Sequence, residues 1–283
     1  MMYVELDDFR QSYVVAKNEI RKFVRGKRFT LYVALIGIVF ALITFLPYLV
    51  GGDLGNTSGE VISNYVPYVF LLVILAATLF ASITVVSEFE ERTALILFTR
   101  PIKKTSIFLG KILGCIILET VMVVVFYIGI MVVAFAVSGS VSSDLLISLG
   151  LAFIYVVATS GVAVLISSIM KKGSTCAILT FVLLLLILPI ISGVLSMSMD
   201  PWFMLDQAAN SISTSMPEYV ANTNDGMQAL IDQLAGMGFE MDQDTIDSLL
   251  ISAPDLVKSV GTMLGWGLIT MILAWIAFIR REF

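Results

Sequence analysis

Glu119 lies inside a long apolar run, where a carboxylate is costly and usually faces a bundle interior or a water-filled cavity. It could couple an ion to transport, line a translocation path, or bond a neighbouring helix. The other reactive side chains offer less. The 283 residues contain no histidine, which removes imidazole bases, His-containing triads and His-ligated zinc or haem. Two cysteines, Cys115 and Cys176, cannot build a zinc site or a disulfide framework. Glu90-Glu91 lies in a loop without the further polar ligands a metalloprotease needs. Asp242, Asp244 and Asp247 invite a calcium reading, but the central Gly and terminal Glu of an EF-hand loop are absent. A solvated acidic cap is the plainer account. Gly110-Lys111 comes nearest to a phosphate-binding loop, yet Thr105 stands where its first Gly belongs. Lys111 is instead expected to snorkel to lipid headgroups. The residue types therefore predict no catalysis and no metal or cofactor held by this chain.

The elements that carry these residues follow from hydropathy. The chain is 58% apolar and 14% charged, against about 45–50% and about 25% in soluble domains. The surplus sits in runs long enough for a bilayer core, which needs roughly 20 apolar residues in helix. Six runs qualify: residues 29–50, 66–86, 112–137, 145–170, 175–195 and 256–279. They lack the alternation of about two residues that a membrane barrel requires. The expected fold is an all-α integral membrane protein in which residues 1–283 form a single transmembrane domain. In span six, Gly261 and Gly265 form a GxxxG read as tight packing within the chain. Pro189, with Ser192 and Gly193, predicts a kink or re-entrant break in span five.

Charge gives the orientation. Sixteen of the seventeen Lys and Arg residues fall in the N-terminal segment, the loops after spans two and four, and the C-terminus. The opposite loops hold only Lys258, with thirteen Asp and Glu. Lys and Arg collect on the cytoplasmic side, so both termini are predicted inside a cell-membrane protein. Both cysteines then lie near a reducing compartment, where small apolar packing is their default role. The basic N-terminal segment is too long, and its apolar run too extended, for a cleavable signal peptide. Phe9, Tyr13, Ala16, Ile20 and Phe23 recur at three- and four-residue steps opposite Lys17, Arg21 and Lys22. That pattern predicts an amphipathic helix on the inner leaflet or, as the alternative, a short cytosolic helix packed on a partner protein.

Two connections are more than links. Residues 196–255 hold ten acids and no Lys or Arg, and predict a small extracytoplasmic helical segment. Met227, Leu230, Ile231 and Leu234 mark one short helix, ended by Gly236 and Gly238, and a second is expected from Asp244 to Ile251 with Asp244 as N-cap. Trp202 and Phe203 after Pro201 fit an interfacial anchor. On the basic side, residues 87–101 open with Glu88, Glu90 and Glu91 and close with Arg100 before Pro101, the order a helix macrodipole prefers. The centre of this helix is apolar, although it lies outside the spans. It must be buried, under its own bundle or on a cytosolic partner.

At this loop the sequence resembles the permease subunits of ABC-2 type transporters, the six-span family with NosY-like and Na+-export members. Glu88, Thr93, Pro101, Gly110 and Lys111 occupy the family's motif positions, and Arg92 replaces the small residue usual before the Thr. The resemblance covers the whole chain. It implies an exporter permease working as a homo- or heterodimer in the lipid bilayer, with ATP and Mg bound by a separate cytosolic ABC ATPase subunit and no nucleic-acid partner. The helix from about Glu88 to Phe98 is then expected to be the coupling helix, with Glu88, Glu91, Thr93, Leu95, Phe98, Arg100 and Pro101 as the ATPase-coupling residues. Glu119 remains the candidate intramembrane functional residue. The alternative is a self-contained secondary carrier using Glu119 for ion coupling, but such carriers commonly show inverted repeats, and no internal repeat is evident.

Overall fold

A computed structural model describes residues 2–90, 103–239 and 242–280, with the backbone alone at residues 2–7, 244 and 248. No strand occurs among the described residues. Six segments are long and apolar enough to cross a membrane, as the runs predicted. An N-terminal helix, α1 (Met2–Val24), leads into α2 (Lys27–Leu49), the first crossing. The second crossing, Ser58–Glu90, is assembled from α3 (Ser58–Tyr65), α4 (Pro67–Leu79), a 3-10 turn at Ala81–Ile83 and α5 (Val86–Glu90). Crossings three and four are α6 (Lys104–Ser138) and α7 (Asp144–Ile169). Crossing five joins α8 (Gly173–Val182) and α9 (Leu188–Ser196) through a π-helical turn at Leu183–Ile187. Then come α10 (Leu205–Thr214), α11 (Pro217–Gly236), α12 (Gln243–Leu249) and the sixth crossing, α13 (Leu256–Arg280).

The second crossing starts earlier than its apolar run suggests. Thr57 accepts from the Glu60 N–H at 3.2 Å, and the Glu60 carboxylate accepts from the Thr57 N–H at 3.2 Å. This capping box satisfies amides that would otherwise be unpaired at the start of α3. Pro67 then sits at the first turn of α4, where its missing N–H costs nothing. In the fifth crossing the break expected at Pro189 is a π turn inside a continuous helix, not a re-entrant loop. Proline's ring crowds the carbonyl four residues back, and one wide turn just before it relieves that crowding.

Several polar groups inside the bundle pair with one another, as groups away from water favour. Tyr127 and Ser148 share a 2.8 Å hydrogen bond, and Ser148 Oγ donates to the Ile212 carbonyl at 2.7 Å. This ties α6, α7 and α10 together. Helix α13 lies along α7 where Gly267 and Gly161 face each other: an added Cβ on Gly161 would come within 3.1 Å of the Gly267 carbonyl. The expectation for the GxxxG pair is therefore corrected. Gly261 and Gly265 have nothing within 4 Å of an added Cβ, so they face away from the chain's own packing.

The segment between spans five and six is more helical than its sequence pattern showed. Helix α10 has only a short apolar face, and α11 begins ten residues before Met227, at Pro217. Asp242, rather than Asp244, caps α12 by accepting from the Gln243 N–H at 3.0 Å. Asn224 pins the following chain by exchanging two hydrogen bonds with Ile251, at 2.9 and 2.8 Å. The ring of Trp202 is half exposed, while the Phe203 carbonyl accepts from Trp266 Nε1 at 2.9 Å. Among the described residues no group of His, Cys, Asp and Glu is arranged to hold a metal ion.

Candidate functional site

Helix α6 has 35 residues, roughly 50 Å at about 1.5 Å per residue, against a bilayer core of about 30 Å. Its first two turns therefore project beyond the apolar run at the basic end, and α1 lies against them. Small residues make the approach close: an added Cβ on Gly110 would meet the Ser12 carbonyl at 2.6 Å, and one on Gly114 would meet the Ala16 carbonyl at 3.0 Å. Ser12 Oγ donates across to the Ser106 carbonyl at 3.1 Å, and Lys103 pairs with Asp8. The buried face of α1 is thus Ser12, Ala16, Glu19 and Phe23, while Phe9 and Tyr13 stay 80% and 66% exposed. The single apolar face read from the sequence divides into a seat on α6 and an outward pair free to meet a membrane surface.

Lys111 occupies the centre of this contact. It does not snorkel: its side chain is 2% exposed and donates to Glu19 and, at 2.8 Å, to Glu88. Lys22 approaches Glu88 at 3.7 Å from the solvent side and donates to Ser87 Oγ at 3.4 Å. Among the described residues two cations and two carboxylates balance, which a buried ammonium requires because an uncompensated charge there is expensive. The reason lies in the geometry. With α1 covering the mouth of span three, the ammonium has no short path to the headgroups, whereas two carboxylates lie within reach.

The chain leaving span two is held from three more directions. Ser167 Oγ, near the end of α7, accepts from the Val85 and Val86 N–H groups at 3.2 and 3.0 Å, which caps α5 after the 3-10 turn. Glu90 accepts from the Gly173 N–H at 2.8 Å, a carboxylate at the electropositive start of the fifth crossing. Thr84 and Cys115 contact at 2.7 Å between spans two and three. Glu88 and Glu90 thus link the head of the loop to α1 and to crossings three and five. Sequence reasoning missed Glu90 as a helix cap and Ser167 altogether. Of the other proposed coupling residues, Glu91, Thr93, Leu95, Phe98, Arg100 and Pro101 lie outside the described residues.

Glu119 is fully buried, about two helical turns deeper than Lys111, and accepts from Ser160 Oγ of α7 at 2.7 Å. That hydrogen bond joins spans three and four and supplies the neighbour that the sequence left unnamed. Cys115 and Cys176 are free thiols, both fully buried.

Six apolar crossings, hydrogen bonds between them and a buried ionic clamp at one end define a multi-pass helical membrane protein. The chain belongs to the ABC-2 transporter family: the family model described as ABC-2 family transporter protein matches residues 13–283. It is accordingly a transmembrane permease of the ABC type. No curated protein matches the chain.

Proposed function

We propose that this permease is the membrane-spanning subunit of an ATP-driven exporter. A second copy, or a related chain, completes the pathway, and a separate cytosolic ATPase docks on residues 88–101. In this reading the chain performs no chemistry of its own, and ATP and Mg act on the partner. The basic end faces the cytoplasm with both termini, as the distribution of Lys and Arg favours. The observation that carries the proposal is the way the head of the loop is bolted down. Glu88 reaches Lys111 at the start of span three and Glu90 reaches Gly173 at the start of span five. A push on the loop would then move three crossings and α1 as one unit.

Within the docking segment, Leu95 and Phe98 supply apolar area, and Glu91 and Arg100 set register through charge-assisted hydrogen bonds. Thr93 and Pro101 join the coupling set through their family positions, and Glu88 passes the force inward. The open faces of Gly261 and Gly265 are suited to helix contact outside the chain, in keeping with a dimer. The test is Leu95→Ala combined with Glu91→Arg. A few anchors normally dominate such an interface, each worth about 2 kcal/mol or more. The double variant should loosen ATPase binding at least tenfold and lower transport, with the membrane fold and basal hydrolysis by the free ATPase unchanged. Wild-type affinity in that variant would remove the loop from the coupling role.

A further inference from the structure

We propose that the cleft where α1 meets the mouths of spans one, two and five binds the phosphate of an anionic phospholipid headgroup. The cavity is about 360 Å³, within the range of about 300–1,000 Å³ typical of small-molecule sites. Lys22, Lys27 and Arg28 line it together with the Ser87 hydroxyl, so donors and positive charge converge on one space. The opposing charge is the Glu90 carboxylate, one oxygen of which is taken by the Gly173 N–H. With Lys22 balanced within the clamp, Lys27 and Arg28 against the Glu90 carboxylate leave the site electropositive by one charge. Lys22 already works against Glu88. Lys27 and Arg28 are exposed and have no ion pair among the described residues. Their charge is therefore available to a ligand.

Depth identifies the ligand. Lys27 is the first residue of crossing one, Gly173 is the first of crossing five, and Ser87 is near the end of crossing two. These positions lie within two residues of the ends of the apolar runs at 29, 175 and 86, which sets them at the headgroup layer. Phe23 and Ile83 add apolar wall to the cleft, suiting a ligand that is phosphate at one end and glyceride at the other. The corner is built by Gly26, whose N–H donates to the Phe23 carbonyl at 2.9 Å while its own carbonyl accepts from Phe29 at 3.1 Å. This tight joint brings Lys22 of α1 and Lys27 of α2 to the same cavity. Basic pockets between membrane helices are a recurring form of phospholipid recognition. The site is independent of how an ATPase docks, and it adjoins the Glu90–Gly173 and Lys22–Ser87 contacts, so an occupied cleft would brace the clamp.

The experiment counts phospholipids retained by the full chain after extraction from vesicles of mixed phosphatidylglycerol and phosphatidylcholine, by native mass spectrometry. The wild-type chain should hold one phosphatidylglycerol in preference to phosphatidylcholine. Lys27→Gln with Arg28→Gln should weaken that retention roughly tenfold to thirtyfold. Both residues are exposed, and an unchanged melting curve will confirm the fold. Arg10→Gln with Lys17→Gln removes the same charge from exposed positions of α1 outside the cleft and should leave retention intact. Equal loss in both double variants would reduce the effect to general surface charge and overturn the site. Undiminished retention in the first variant would overturn it as well. Displacement of the lipid by millimolar inorganic phosphate would assign the cleft to a free anion and overturn the lipid assignment.

Discussion

Replacing Lys111 by methionine keeps much of the side chain's length and apolar bulk while deleting its charge. The substitution leaves Glu19 and Glu88 facing a site where their side chains are only 8% and 15% exposed. Exposed ion pairs contribute about 0–1 kcal/mol, whereas breaking a buried pair costs about 3–5 kcal/mol because a charge is left uncompensated. Lys111 itself is 2% exposed, which places the pair in the buried class. Lys22 remains near Glu88 at 3.7 Å and offsets part of the loss, so the lower end, about 3 kcal/mol, is the expected cost. At about 1.4 kcal/mol per tenfold this shifts the opening equilibrium of α1 by roughly two orders of magnitude. Hydrogen exchange in lipid nanodiscs reads the shift directly. Amides of α1 between Ser12 and Phe23 should exchange about a hundredfold faster, with α13 unaffected. Adding Glu19→Gln and Glu88→Gln removes the stranded charges and should recover most of the protection. Exchange within threefold of wild type in the single variant would mean that solvent screens the cluster. A triple variant as loose as the single one would show that shape, not charge, seats α1.

Glu119→Gln preserves the size of the side chain and its capacity to accept from Ser160, so the fold should survive while transport falls; unchanged transport and unchanged ATPase stimulation would assign Glu119 to packing. Asp206, 7% exposed in α10, is pushed above its ordinary 3.8 chiefly by burial, with the Ser192 hydroxyl and the Asp206 and Gln207 amides opposing. A carboxyl raised in the folded state gives stability that is complete below the unfolded value and lost as pH climbs through the folded one. Asp206→Asn should therefore raise the melting midpoint at neutral pH, with a gain that shrinks as pH falls toward 3.8; a constant gain across that range would contradict the burial account. Single cysteines at Asp53 and Asp232 should react with an impermeant maleimide from outside, and one at Lys171 should not. The native Cys115 and Cys176 are fully buried and give little background, and outside labelling at position 171 would invert the proposed topology.

The sequence by itself determined what depends on a residue and its near neighbours. Runs of apolar residues must lie in hydrocarbon as helices, because a helix satisfies its own amides there, and all six runs do form helical segments long and apolar enough to cross. Thr57 and Glu60 carry a capping box in their three-residue spacing, a signal legible in the sequence. The motif residues Glu88, Thr93, Pro101, Gly110 and Lys111, combined with the six-span topology, likewise brought out the family that the chain belongs to. Tertiary structure decided what depends on partners far along the chain. Lys111 meets Glu19 across 92 residues and Glu90 meets Gly173 across 83, separations that no local pattern encodes. Hydropathy could not tell the glycine that packs, Gly267, from Gly261 and Gly265, which do not, because the difference is the side of the helix on which α7 lies. For the same reason Lys111 looked like a lipid-facing cation: a lysine at a helix mouth snorkels unless another element covers it, and only the fold places α1 there.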